Sequence, residues 1–266
     1  MRANKSLGQN FLVDPNLQRK IVDALAVSSE DEVLEIGSGR GALTRHLVGR
    51  VRRLVLVEID GRMVADLRER WGGRSDVHIV HADALSLDLG SLATSVATLK
   101  VVGNIPYNIT SPLLFHLLQR PRPAEVLVMV QREVANRILA DPGSAAYGAL
   151  AIGVRSVADV EKVLQVPRQA FRPIPGVDST VIRITPHVPR RLSEVEETDL
   201  RVLVRAAFQW RRKQIQKILR DHPDLLVDKD DLGPLGVAVG MELTARPEAL
   251  SCDVFIALSR ALRARP

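Results

Sequence analysis

The segment Gly103-Asn104-Ile105-Pro106-Tyr107-Asn108 follows a short apolar run and gathers an amide, a proline and one of the chain's two tyrosines. Two hydrogen-bond acceptors held side by side suit the two hydrogens of an exocyclic amine. The Asn104 side-chain oxygen offers one, and a backbone carbonyl near Ile105-Pro106 offers the other, with proline holding the main chain in shape. Such a pair makes an aromatic amine a better nucleophile, because its lone pair is otherwise delocalised into the ring. Tyr107 can stack on a planar base and hold it against the cost of leaving its own stack, a few kcal/mol. Asn104, Pro106 and Tyr107 are therefore candidate catalytic residues. An ordinary loop with an Asn-initiated turn has the same local sequence, so the reading depends on what stands beside it.

What stands beside it is a nucleotide-binding pattern. Glu35-Ile36-Gly37-Ser38-Gly39-Arg40-Gly41-Ala42 places glycines where a strand must turn into a helix, so a ligand can approach backbone amides with no Cβ in the way. Glu58 closes the next apolar run, 21 residues after Gly37, where a carboxylate accepts both hydroxyls of a ribose. The spacing Gly37-x-Gly39-x-x-Ala42 also satisfies the dinucleotide fingerprint, so at this point a nicotinamide dehydrogenase competes. Asp83, after the third apolar run, can accept from the exocyclic amine of an adenine over the sheet edge; alone it would read as the cap of the following turn. A ribose acid, an adenine acid and a glycine turn on three successive strands form the site expected for S-adenosylmethionine.

Elements that would position these groups are legible in the apolar pattern. Val33 to Ile36, Leu54 to Val57, Val77 to Val80, Val101-Val102 and Val126 to Val130 read as strands, and Ala42 to Val48, Met63 to Trp71, Leu113 to Leu118 and Val134 to Leu139 as helices. The alternation predicts a doubly wound, mostly parallel α/β sheet, Rossmann-like, covered on both faces. Asp14-Pro15 is a cap and first-turn pair opening a helix ahead of it. Ala151 to Val157 and Val177 to Ile184, with no helix between them, are expected to pair antiparallel at the sheet edge. Pro186 to Arg191 breaks regular structure, so a first domain over 1–186 and a small all-helical domain over 187–266 are expected. Within the latter, residues 201–220 carry seven basic side chains and no acid, opposite an apolar stripe of Leu200, Val204, Ala207, Phe208, Ile215 and Ile218. Arg211 breaks this arrangement by pointing toward the stripe, which requires either a helix break near Trp210 or a partner for the guanidinium. Arg211, Arg212, Lys213 and Lys217 are candidate phosphate contacts, with an affinity that falls steeply with salt.

Composition narrows the classes. With 46% apolar and 26% charged side chains over 266 residues, the chain is neither a disordered tail nor a disulfide miniprotein. A net charge of +6 favours polyanionic partners. The single cysteine, Cys252, cannot form an internal disulfide or a thiolate cluster, which fits the cytoplasm. No apolar run approaches the ~20 residues that cross a bilayer, and Met1 to Lys5 leads into no apolar core of a signal peptide, so neither export nor a membrane is expected. His78 and His81 are an odd number of residues apart on an expected strand and face opposite ways, so no metal site is expected from them. Trp71, Phe115, Phe208 and Phe255 are expected in the core, and His116 has no visible partner.

Six segments carry a resemblance: Lys5 to Leu12, the Glu35 to Gly41 turn, Asn104 to Asn108, Pro142 to Gly148, Phe171 to Ser179 and Phe208 to Lys213. Together they resemble the ribosomal RNA adenine dimethyltransferase family over nearly the whole chain, best in its small-subunit (16S) branch. The resemblance implies N6,N6-dimethylation of two adjacent adenines near the RNA 3′ end with S-adenosylmethionine, on a partly assembled subunit, by a monomer. It also implies Asn10, Leu12, Gly37, Gly39, Glu58, Asp83 and Asn104 as cofactor contacts, and Phe171 as the second face of a sandwich around the adenine. Ile105 stands where this branch often has Leu, and Trp210 where it often has a polar residue. Two rivals stay open here: a large-subunit rRNA methyltransferase of the macrolide-resistance type, and a non-catalytic RNA-binding assembly factor on the same fold.

Overall fold

The structure is a computed structural model that describes residues 8–265; Lys5, Ser6 and Leu7 of the N-terminal motif lie outside the described residues. In chain order come β1 (Phe11–Leu12), α1 (Pro15–Ala24), β2 (Glu32–Ile36), α2 (Thr44–Leu47), β3 (Arg53–Glu58), α3 (Gly61–Trp71), β4 (Val77–His81), α4 (Leu89–Leu92), β5 (Lys100–Asn104), α5 (Thr110–Leu117), β6 (Glu125–Gln131) and α6 (Arg132–Leu139). There follow α7 (Ala149–Arg155), β7 (Ala158–Val166), β8 (Phe171–Arg172), β9 (Ser179–Pro186), α8 (Glu194–Gln209), α9 (Ile215–Asp221), α10 (Lys229–Val239) and α11 (Cys252–Arg263).

The main sheet has seven strands in the order β4-β3-β2-β5-β6-β9-β7. The first five run parallel and β9 lies antiparallel to β6, giving the expected doubly wound α/β sheet. Its strands are nearly continuous apolar runs because both faces are covered; every residue of β2 is buried. Chain order reverses between β2 and β5, and the crevice at such a switch point, beyond the carboxyl ends of the strands, is where open α/β sheets bind ligands. The helix starts follow local chemistry. The Asp14 carboxylate accepts the amides of Asn16 and Leu17 ahead of α1, whose first residue is Pro15. Ser193 and Glu196 form a reciprocal capping box at the start of α8.

The chain divides into two units: residues up to Ala135 with Val160–Pro186, and Asn136–Asp159 with His187–Pro266. The expected single cut after residue 186 is one of three crossings, because the 136–159 stretch belongs with the helical unit. Ala151 to Val157 is not an edge strand: most of it is α7, and its buried residues Ala151 and Ile152 pack in the helical unit's core with Leu200, Leu203 and Phe255. The strand beside β9 is instead β7, whose Asp159, Glu161 and Lys162 hide it from apolar patterning, as charges on a sheet edge do. Residues 201–220 form two helices rather than one, since α8 stops at Gln209 with Trp210 as its cap. Phe115 is 40% exposed on α5 rather than core. His116 has a partner, its Nε2 lying 2.8 Å from the Leu87 carbonyl.

Candidate active site

At the carboxyl ends of β2, β3 and β5 a cleft of about 260 Å³ opens, lined among others by Asn10, Gly37, Gly39, Glu58, Asp83, Asn104, Pro106 and Tyr107. Eight positions singled out in the sequence thus meet in one place. A second hollow of about 230 Å³ shares Phe11, Gly37, Gly39 and Asn104 with it and extends over Leu12, Glu35, Ser38 and Arg40.

The glycine turn follows β2 directly, and Gly37 and Gly39 both take positive φ, +69° and +52°. A Cβ on Gly39 would come within 3.2 Å of the Phe11 ring, a tight contact at a backbone conformation that already favours glycine. Glu58, at the end of β3, is buried and binds backbone with both oxygens: Oε2 accepts the Gly39 amide at 2.8 Å, Oε1 the amides of Ile59 and Asp60 at 2.9 Å each. Glu58 therefore ties the turn to the neighbouring strand as well as facing the cleft. Asp83 is exposed at the cleft wall; Oδ1 caps the following turn through the Leu85 amide at 2.9 Å, and Oδ2 has no protein partner among the described residues.

Asn104 ends β5, half-buried. Its Nδ2 donates to the Asn10 carbonyl at 2.8 Å. A carbonyl only accepts, so this contact commits the nitrogen and leaves Oδ1 as a free acceptor. Of the two backbone carbonyls considered from sequence, that of Pro106 accepts the Ile109 amide at 3.2 Å and the Thr110 hydroxyl at 3.3 Å, whereas that of Ile105 has no partner among the described residues. Of the two, Ile105 O is thus the one left open as an acceptor. Tyr107 lies half-buried along the cleft with its hydroxyl 2.9 Å from Ser179 Oγ, and burial pushes its phenol above the ordinary range.

Other expected residues lie elsewhere. Phe171 is 0% exposed, pairs in β8 with Leu12 of β1, and packs in the core with Leu12, Val166 and Val181. The expectation that its ring faces the cleft is corrected: alternation along β8 turns the apolar ring inward and leaves Arg172 exposed. Leu12 is also buried, touches only the second hollow, and gives its carbonyl to Gln18 Nε2 at 2.8 Å. In the helical unit, Arg211 lies 3.7 Å from Glu248 and donates to the Ala145 carbonyl at 3.2 Å, so it meets partners where the helix breaks, with its side chain 41% exposed. Arg212, Lys213 and Lys217 are exposed and carry no ion pair among the described residues.

Two features went unread in the sequence. Asp60 caps α3, is salt-bridged to Arg62, and accepts Gln9 Nε2 at 2.9 Å, fastening the N-terminal segment over the cleft; the Glu58-Ile59-Asp60 spacing at a strand-to-helix junction is its only local signal. Glu35 sits beneath the glycine turn, 2% exposed, and burial raises its carboxyl to about 8, against the lowering hydrogen bond from Thr44 Oγ1 at 2.6 Å. Nothing in the linear pattern marks that position as buried without a cation. Among the described residues no group of three His, Cys, Asp or Glu gathers, and no helix is long and apolar enough to cross a membrane.

A glycine turn at positive φ, acids at and just beyond the ends of the next two strands and an open amide acceptor on the other side of the switch point fit S-adenosylmethionine. Fold and cleft together define a methyltransferase of the doubly wound class. The family follows from the sequence as a whole: the ribosomal RNA adenine dimethylase model matches residues 1–259, and the chain belongs to that family. A ribosomal RNA small subunit methyltransferase A of Moorella thermoacetica is 42% identical over 269 residues, which cover 97% of this chain and 92% of the relative. A dimethyladenosine transferase from Plasmodium falciparum superposes with a TM-score of 0.80 at 27% identity, over 93% of this chain and 95% of that one. The 23S rRNA methyltransferase ErmE superposes with a TM-score of 0.74 at 27% identity, over 96% and 100%.

Proposed function

We propose that the chain transfers methyl groups from S-adenosylmethionine to N6 of two adjacent adenines near the 3′ end of small-subunit (16S) ribosomal RNA, giving N6,N6-dimethyladenosine on a partly assembled subunit in the cytoplasm. The committed orientation of Asn104 carries this reading. With Nδ2 held by Asn10 O, Asn104 Oδ1 and Ile105 O are two unpartnered acceptors on adjacent residues, matching the two hydrogens of an adenine amine. Accepting both draws the nitrogen away from conjugation and localises its lone pair. Tyr107 offers the face on which the extruded base stacks. S-adenosylmethionine, when bound, supplies an electrophilic methyl group on a sulfonium. Glu58 and Asp83 would hold its ribose and adenine, and Gly37 and Gly39 would let it approach the main chain. Once methylated, the amine is acidic and loses its proton to water, so no strong base is required, and the rate comes mainly from positioning. Arg212, Lys213 and Lys217 would contact phosphates, reading RNA shape more than sequence.

The small-subunit assignment is favoured by the Moorella small-subunit relative, 42% identical over 97% of this chain. The test is transfer from labelled cofactor to small-subunit particles that lack the modification, followed by mass spectrometry of the RNA. Dimethyladenosine at two neighbouring positions is expected. Incorporation confined to large-subunit RNA would move the chain to the macrolide-resistance type, and RNA binding with no incorporation to an assembly factor. Titration with nicotinamide cofactor should give no binding.

A further inference from the structure

We infer that Ser179 is a positioning residue for the reaction, fixing through the Tyr107 hydroxyl the plane on which the target base stacks. The inference rests on the stacking role proposed above for Tyr107. The main chain of the cleft loop is held by hydrogen bonds of its own: Thr110 Oγ1 reaches Pro106 O at 3.3 Å and Tyr107 O at 3.4 Å, and the Ile109 amide reaches Pro106 O at 3.2 Å. None of these sets the torsions of the ring. The contact that does is at its far end, where the hydroxyl shares a 2.9 Å hydrogen bond with Ser179 Oγ across 72 residues of chain.

Ser179 is a rigid anchor. It is 0% exposed, opens β9, and is in register with Gln131 at the carboxyl end of β6. The residue before it is pinned three times: Asp178 Oδ1 accepts the Arg168 amide at 3.0 Å, Oδ2 accepts Arg132 Nη1 at 3.3 Å, and the Asp178 carbonyl accepts the Arg132 amide at 3.0 Å. Phenylalanine would present the same π-face to a base, so what the phenol adds is this tether. An untethered ring lets the base rotate, and N6 then drifts from Asn104 Oδ1 and Ile105 O, which are held independently of the ring by Asn104 Nδ2 on Asn10 O and the Ile105 amide on Met129 O.

The experiment compares S179A, S179T, Y107F, Y107A and the S179A/Y107F double variant in methyl transfer to unmodified small-subunit particles, with S-adenosylmethionine affinity measured separately. Loss of one neutral hydrogen bond, ~1 kcal/mol, lowers kcat about fivefold to tenfold, and S179A should show this with cofactor affinity unchanged. S179T, which keeps a hydroxyl on the same carbon, should recover most of the rate. Y107F should fall as far as S179A, and the double variant no further than Y107F. Full turnover in S179A, or losses that multiply in the double variant, would overturn the proposal. If S179A does not fold, Y107F decides alone, since it leaves β9 untouched: wild-type turnover there overturns the tether. Full turnover in Y107A sinks the stacking role itself, whereas loss in Y107A with full rate in Y107F and S179A leaves stacking intact and removes only the tether.

Discussion

Replacing Glu58 by glutamine keeps the shape of the side chain and changes only what its ends can do. Three backbone amides point at the carboxylate: Ile59 and Asp60 at Oε1, Gly39 at Oε2, all within 2.9 Å. Glutamine has one oxygen and one NH2 group. Its better placement keeps the oxygen on the Ile59 and Asp60 pair and turns the NH2 toward the Gly39 amide, donor against donor. One charge-assisted hydrogen bond worth ~1.5–3 kcal/mol is lost and a buried amide is left unsatisfied, so E58Q should lose about 2–3 kcal/mol of stability. At roughly 2–4 °C per kcal/mol for a unit of this size, melting should fall by about 4–12 °C. The same change releases the glycine turn and removes an acceptor from the cleft, so S-adenosylmethionine should bind about tenfold to hundredfold more weakly. Thermal unfolding and calorimetric titration on the same protein read both effects. A variant that melts and binds like the parent would refute the placement of Glu58. One that binds poorly but melts unchanged would show that the bond to Gly39 contributes nothing to the fold.

Removing the amide in N104A should lower kcat by about 10²-fold, the scale of misplacing a reacting group by an ångström, with cofactor affinity lowered less; undiminished turnover would favour the assembly-factor reading. Glu35 makes stability depend on pH: its carboxyl rises from the ordinary 4.5 to about 8 on burial, so the folded state binds the extra proton across that window. That contribution is fully present below pH 4.5 and is lost as pH rises toward 8. E35Q should flatten this slope in urea unfolding at pH 5, 7 and 9, and a slope equal to the parent's would contradict the burial assignment. Among the cations, R212A and K213A should each reduce the salt dependence of RNA binding by about one unit of log K against log salt. R211A should leave that slope alone and instead destabilise the helical unit, because its guanidinium is held by Glu248 and the Ala145 carbonyl.

The linear sequence determined the local parts. Apolar runs broken by glycine and capped by Asp14-Pro15 specify their elements through short-range geometry, and a parallel alternation then sends Gly37, Glu58, Asp83 and Asn104 to one edge of the sheet, where the strands end. Long-range packing determined the rest, because a side chain's direction depends on partners the local pattern does not name. Phe171 turned inward because β8 pairs with β1; Asn104 acquired its orientation from Asn10, 94 residues away. Arg211 found its partners in Glu248, two helices further along the chain, and in the Ala145 carbonyl. The 151–157 run became helix rather than strand because a short apolar stretch fits either until it finds its core, and that core lay in the other unit. Residue types and spacing state which chemistry is available; only the folded chain decides which lone pairs and which cations are left over to perform it, since a lone pair or hydrogen already used within the protein is closed to a ligand.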